Sequence, residues 1–176
     1  VIIFADYDEI GNGLVRPSLI SKLVEIPDTY GSVLVGISRK RINQFRNFSL
    51  AIVNEREARH ATNIESRTAS IQNVGEILAR NMETNLVITK GEEGLSVFGK
   101  NGKNIYNIPS FAKNIVDVTG AGDALTSMMA LSIASGSSLS DASLLGNYAA
   151  AVAVSKEGTA TFTREEIARH IYENGK

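Results

Sequence analysis

The sequence predicts an α/β fold, a mostly parallel sheet flanked by helices with a β-hairpin at its edge. Three observations predict it. Short, β-branched apolar runs alternate with amphipathic helical patterns through the first half of the 176 residues. A polar, glycine-bearing turn then joins two strand-like runs, and the last third is helical, broken by Gly/Ser turns.

Residues 1–5 (VIIFA) form an apolar run fit for a strand buried on both faces, and residues 17–22 open a helix with Pro17 in its first turn. Residues 32–37 and 49–53 are the next two strand runs, the second ending where Asn54 can cap a helix reaching His60. Residues 68–82 place Ile71, Val74, Ile77 and Leu78 on one helical face, ahead of a strand at 86–89. Residues 95–98 and 105–108, joined across the polar stretch 99–103, read as a hairpin that ends at Pro109. Helices follow at 120–135, 140–156 and 164–173. No internal repeat or long linker interrupts this order, so residues 1–176 are expected to form a single, partial domain.

Composition excludes several function classes. Eighteen basic against nineteen acidic residues give a net charge of -1, so no global field gathers nucleic acid or anionic lipid. The absence of cysteine removes disulfides, thiolate metal sites and a cysteine nucleophile. No apolar run approaches the roughly 20 residues that span a bilayer, and the N-terminus lacks signal-peptide zones, so a soluble cytoplasmic protein without membrane partners is expected. His60 and His170 are far apart in sequence and suggest no zinc site. Because Val1 already lies within a strand pattern, further sequence is expected upstream.

Two glycine motifs carry no function. Residues 94–100 have the phosphate-loop spacing, but Asn101 stands where Ser or Thr holds magnesium, and the intervening residues read as a strand. Gly11 and Gly13 lack the third glycine of a dinucleotide fingerprint.

The informative stretch is DVTGAGD at 117–123, which runs directly into a helix of small residues. Gly120, Ala121 and Gly122 at a helix start leave successive N–H groups uncovered at the positive end of the dipole, which makes an anion hole. Asp123 falls in the first turn beside it, where a carboxylate can take the proton of a hydroxyl attacking phosphorus. Alone, such a sequence would only cap a helix through Thr119 and Asp123.

With its flanks, DVTGAGD resembles the C-terminal signature of the ribokinase, or PfkB, family of carbohydrate kinases. Asn54-Glu55-Arg56-Glu57 is similar to that family's N-x-x-E, which implies that Asn54 and Glu57 organise hydrated Mg2+; on residues alone the same pair is an asparagine cap with its capping glutamate. Thr89, Gly91 and Gly94 match T-x-G-x-x-G, which implies contacts with the nucleotide's phosphates and ribose. Asn147 matches an asparagine near the adenine, although a helical asparagine bonded to a loop reads equally well. Asp117 and Thr119, with the loop that carries Gly158, match a monovalent-cation site, implying K+.

Residues 154–166 are most similar to the kinase half of ADP-heptose synthases, and Phe4-Ala5-Asp6-Tyr7 resembles that group's S-D-Y before a glycine turn. Departures are a longer turn after Tyr7, Gly36-Ile37 in place of an acidic element, and Ile52-Val53 in place of Lys-Pro. The basic residues Arg39, Lys40, Arg41 and Arg46 could meet a phosphate; a solvated loop face is the simpler reading.

The resemblance implies Mg2+-dependent transfer of the ATP γ-phosphate to a hydroxyl of a sugar or sugar phosphate, heptose 7-phosphate among them. Asp123 would be the base, with the Gly120, Ala121 and Gly122 amides on the phosphoryl oxygens. The family's first strands, sugar site and β-lid, which often makes a homodimer, are expected to lie outside the chain. The alternative is a nucleotide-binding fragment or kinase-like module that catalyses nothing.

Overall fold

The computed structural model describes residues 1–8, 15–26, 31–64 and 69–174. Gly11, Gly13 and the turn following Tyr7 lie outside the described residues. The chain forms two compact units, Val1–Lys90 with Leu95–Asn107, and Gly91–Gly94 with Ile108–Lys176.

The first unit carries a six-stranded sheet in the order β1-β2-β3-β4-β5-β6. Its strands are β1 (Ile2–Asp6), β2 (Leu34–Ser38), β3 (Leu50–Asn54), β4 (Asn85–Thr89), β5 (Leu95–Phe98) and β6 (Asn104–Ile108). The first four run parallel, with Ile2 opposite Leu34, Val35 opposite Leu50 and Leu50 opposite Asn85. β5 returns antiparallel to β4 and turns through residues 99–103 into β6, which is the expected edge hairpin. β5 also fills the spacing of the phosphate-loop decoy with regular strand, removing the irregular turn such a loop needs.

Three helices belong to this unit, α1 (Pro17–Val24), α2 (Glu55–Thr62) and α3 (Ile71–Met82). Proline opens α1, where its missing N–H costs nothing. Ser70 caps α3 by accepting from Asn73 N–H. One core joins Ile20, Ala58, Val74, Leu78 and Met82 of the helices to Leu34, Ala51, Val53, Leu86, Ile88 and Phe98 of the strands. Gly75 is required there, because a Cβ would fall inside the Phe98 ring.

The alternate strand residues Val35, Leu50, Ile52, Val87 and Val97 are buried as well. Two expectations are corrected. Ile77 is 38% exposed, so the apolar stripe of α3 runs through Val74, Leu78 and Met82. β1 lies at the sheet edge and exposes Ile3, because alternate residues of an edge strand face different surroundings.

The second unit is built on α4 (Ala121–Ala134), α5 (Leu139–Val154) and α6 (Arg164–Asn174). Gly146 lets α4 and α5 approach closely, since a Cβ there would lie 2.6 Å from Met129 Cγ. Ala149, Val152 and Ile167 form a small core, against which Met128, Tyr148, Phe162 and Ile171 pack. Among the described residues, no helix is long and apolar enough to cross a membrane.

Candidate active site

In an open parallel sheet, ligands gather at the carboxyl ends of the strands, where loops leave side chains unpaired by the ladder. In the first unit that edge is set by register: Asp6 of β1 stands opposite Ser38 of β2, and Asn54 of β3 opposite Thr89 of β4. Thr89 Oγ1 donates a long bond of 3.5 Å to Val53 O, which fixes it at the rim.

Asn54 and Glu57 form a reciprocal cap. Asn54 Oδ1 accepts from Glu57 N–H at 2.8 Å, and Glu57 Oε2 accepts from Asn54 N–H at 2.9 Å. The capping reading is therefore present in the structure, and it holds both side chains at the sheet edge. It uses only one oxygen of Glu57. Burial pushes the Glu57 carboxyl up from its ordinary value, against the lowering by its bonds to Asn54 and by the charges of Arg39 and Arg56.

The basic cluster is not one solvated face. Arg41 is 15% exposed at its side chain and binds the buried Asp6 through Nε at 3.2 Å and an Nη at 3.1 Å; the same Nη reaches Asp8 at 2.7 Å. Ser38 Oγ donates to Asp6 at 2.8 Å and accepts from Arg41 N–H at 3.0 Å. These carboxylates hold the Arg41 guanidinium above its ordinary value, its hydrogen bond to Asp6 being the main cause. Arg46 makes an exposed pair with Glu83, and Arg39 lies over the Tyr7 ring at 5.5 Å. Sequence reading missed the Asp6–Arg41 pair because 35 residues separate its members.

Gly36, in the middle of β2, is tightly packed. A Cβ would meet Phe48 at 3.0 Å and Phe45 at 3.2 Å, and these rings pack together 4.9 Å apart. Thr84 pins the loop beneath them, accepting from Phe48 N–H at 3.2 Å and lying within bonding distance of Phe45 O at 3.1 Å.

In the second unit, Gly94 is in the left-handed region at φ 87°, and a Cβ would run into Ile108 O. Gly91 is also left-handed, at φ 60°. The loop ahead of α4 is stitched to the C-terminus of α5, since Val116 N–H and Asp117 N–H both donate to Val154 O, at 2.8 and 3.2 Å. Asp117 then joins two loops, one oxygen accepting from Thr119 N–H at 2.9 Å and the other from Gly158 N–H at 3.1 Å. Those bonds, foremost the one to Thr119, hold its carboxyl below the ordinary range. The structure thus brings Asp117, Thr119 and Gly158 together.

Gly120 caps α4 in the left-handed conformation, φ 83°. Ala121 N–H reaches back to Val118 O at 3.3 Å, whereas Gly122 N–H finds no acceptor among the described residues. Asp123 is exposed in the first turn of the same helix, next to that amide. Thr126 Oγ1 and Ser127 Oγ bond back to Gly122 O and Asp123 O, at 2.7 and 2.6 Å. Asn147 is buried and donates through Nδ2 to Pro109 O at 2.7 Å, the loop-bonded arrangement open to a helical asparagine.

A family model described as pfkB family carbohydrate kinase matches residues 36–166. The chain is 36% identical to the bifunctional protein HldE of Geobacter metallireducens over 170 residues, covering 95% of the chain and 34% of that protein. It is 34% identical to the HldE of Wolinella succinogenes over 174 residues, 97% of the chain and 35% of that protein. It therefore spans about a third of the length of these relatives.

Among solved structures, it resembles phosphofructokinase-2 from Escherichia coli in complex with potassium at TM-score 0.81 and 16% identity, covering 99% of the chain and 57% of that protein. Arabidopsis thaliana ribokinase complexed with ribose and ATP matches at TM-score 0.75 and 18% identity, over 96% of the chain and 55% of that protein. These likenesses show the ribokinase-like fold. The chain belongs to the pfkB family of carbohydrate kinases.

Proposed function

We propose that this chain forms the nucleotide side of a kinase that transfers the γ-phosphate of ATP to a hydroxyl of a sugar or sugar phosphate, with heptose 7-phosphate the favoured acceptor. The observation that carries the reading is the start of α4, where left-handed Gly120 turns the chain so that a Gly122 amide with no acceptor among the described residues and the exposed Asp123 carboxylate occur within one helical turn. That end of the helix favours negative charge, and its amides suit the oxygens of a transferring phosphoryl group. Asp123 takes the proton of the attacking hydroxyl, while Thr89, Gly91, Gly94, Asn147 and Gly158 contribute to holding the nucleotide.

Magnesium fits the residues present in one way. No cluster of three or more metal-ligating side chains occurs among the described residues, so these offer no all-protein cage. Glu57 keeps one carboxylate oxygen outside its cap, and its partly buried charge is relieved by a cation, so Asn54 and Glu57 would hold hydrated magnesium through its waters. The ion supplies charge neutralisation on phosphate oxygens. Potassium, present in the phosphofructokinase-2 complex, is proposed for the loop pair joined by Asp117, with Thr119 beside it.

A second reading, nucleotide binding without transfer, is favoured by a specific observation. Gly36 sits in the middle of β2, where a Cβ would press on Phe48 and Phe45, and Ile52 and Val53 are buried in β3, so these strands offer no polar side chain at the positions where the resemblance implies an acidic element and Lys-Pro. We also propose that the chain is one part of a longer protein, consistent with its one-third coverage of HldE, and that the sugar-binding part and any dimer contact lie elsewhere in that protein.

The test is Asp123→Asn. The variant should bind ATP as the wild type does and lose transfer; unchanged turnover would rule out Asp123 as the base.

A further inference from the structure

Residues 109–119 carry the backbone from β6 to α4 without regular structure. Such a segment has no ladder of its own, so its shape depends on the few groups that pin it. At its far end the pins are Val154 O and the Asp117 carboxylate described above. Between the two ends, Lys113, Asn114 and Ile115 are exposed.

At its near end, α5 and α6 supply the pins. Asn147 Nδ2 donates to Pro109 O. The Phe111 ring stacks on Tyr148 of α5, with centroids 4.2 Å apart and planes at 20°. His170 of α6 places Nε2 3.0 Å from Phe111 O and sets its ring edge-on to Tyr148 at 6.0 Å. A carbonyl oxygen only accepts, so Nε2 must carry the proton and donate. The histidine thereby joins three things: a helix, the stacked aromatic pair and the backbone of the segment leading to Gly120.

We propose that His170 is a positioning residue. Its Nε2–H bond to Phe111 O, backed by the Phe111–Tyr148 stack, holds the 109–119 segment in the shape that presents the α4 amides to nucleotide phosphate. This rests on the nucleotide reading given above. The histidine acts through the backbone it holds.

The test compares His170→Phe, which keeps a ring against Tyr148 but has no donor, with His170→Gln, which restores an N–H donor. Hydrogen exchange over residues 109–123 and ADP titration are measured on the whole protein. The phenylalanine variant should exchange faster across 109–119 and bind ADP about five- to tenfold more weakly, the effect of one lost hydrogen bond. The glutamine variant should return both to within about twofold of wild type.

Unchanged exchange in His170→Phe, beside normal wild-type ADP binding, would overturn the latch. So would equal losses in the two variants, because they would trace the effect to the ring and not to the donor. A wild-type protein that takes no ADP would overturn the nucleotide reading and the role of the latch within it, and that result is distinct from both of the others.

Discussion

Alanine at Gly120 and alanine at Gly122 should act in opposite ways, although the two glycines are separated by one residue. Gly120 is left-handed at φ 83°, a conformation that costs an L-residue about 1–2 kcal/mol. Its Cβ would also stand 3.2 Å from Thr159 Cγ2, tight enough that the methyl must give way by a few tenths of an ångström. Gly120→Ala should therefore lose about 1–2 kcal/mol of stability, which moves a urea midpoint down by about 0.5–1 M at ordinary slopes. At Gly122 a Cβ meets nothing within 4 Å, and alanine is the better helix former by up to about 1 kcal/mol. Gly122→Ala should thus leave stability unchanged or raised, while its methyl crowds the amides that receive phosphate and weakens ADP binding by about tenfold or more. Urea denaturation and ADP titration on the same preparations read both effects. Wild-type ADP affinity in Gly122→Ala would refute the anion hole, and unchanged stability in Gly120→Ala would refute the assigned turn.

Three further outcomes follow from the electrostatics. Glu57→Gln preserves the capping box, which accepts Glu or Gln, and removes a charge that burial disfavours; apo stability at neutral pH should not fall, while the magnesium dependence of ATP binding should weaken, as titrations with and without the metal would show. Because the Asp117 carboxyl is depressed, its contribution to stability is present above the ordinary carboxylate value of about 3.9 and is lost as pH falls through its folded value. The stability gap between Asp117→Asn and wild type should narrow as pH drops from about 6 into that acid range, and a gap constant across the same range would contradict the assignment. Arg41→Ala leaves Asp6 buried without its main cation, whereas Arg46→Ala breaks only an exposed pair, so thermal melting should show the larger loss for Arg41.

Local pattern was enough for much of this molecule. The capping box at Asn54, the hairpin around residues 99–103 and the glycine turn into α4 are all written in spacings of a few residues, and each occurs where the sequence places it. What escaped was set by partners distant in the chain. Arg41 looked like one member of a basic loop until β1 brought Asp6 against it, and Gly36 looked like a lost acid until Phe45 and Phe48 were seen to fill its space. His170 seemed to stand alone, since nothing near it in sequence signals the Phe111 carbonyl 59 residues away. Helical period identified the inward stripe of α3 but could not fix its width, which is why Ile77 was placed on the buried face.

The most direct measurement of the central claim is ATP titration of the whole protein followed by phosphotransfer over a panel of sugars and sugar phosphates that includes heptose 7-phosphate. The account predicts saturable ATP binding and magnesium-dependent formation of ADP with one acceptor class, lost in Asp123→Asn. ATP binding without transfer to any acceptor would contradict the kinase and leave the nucleotide-binding module, and absence of ATP binding would contradict both.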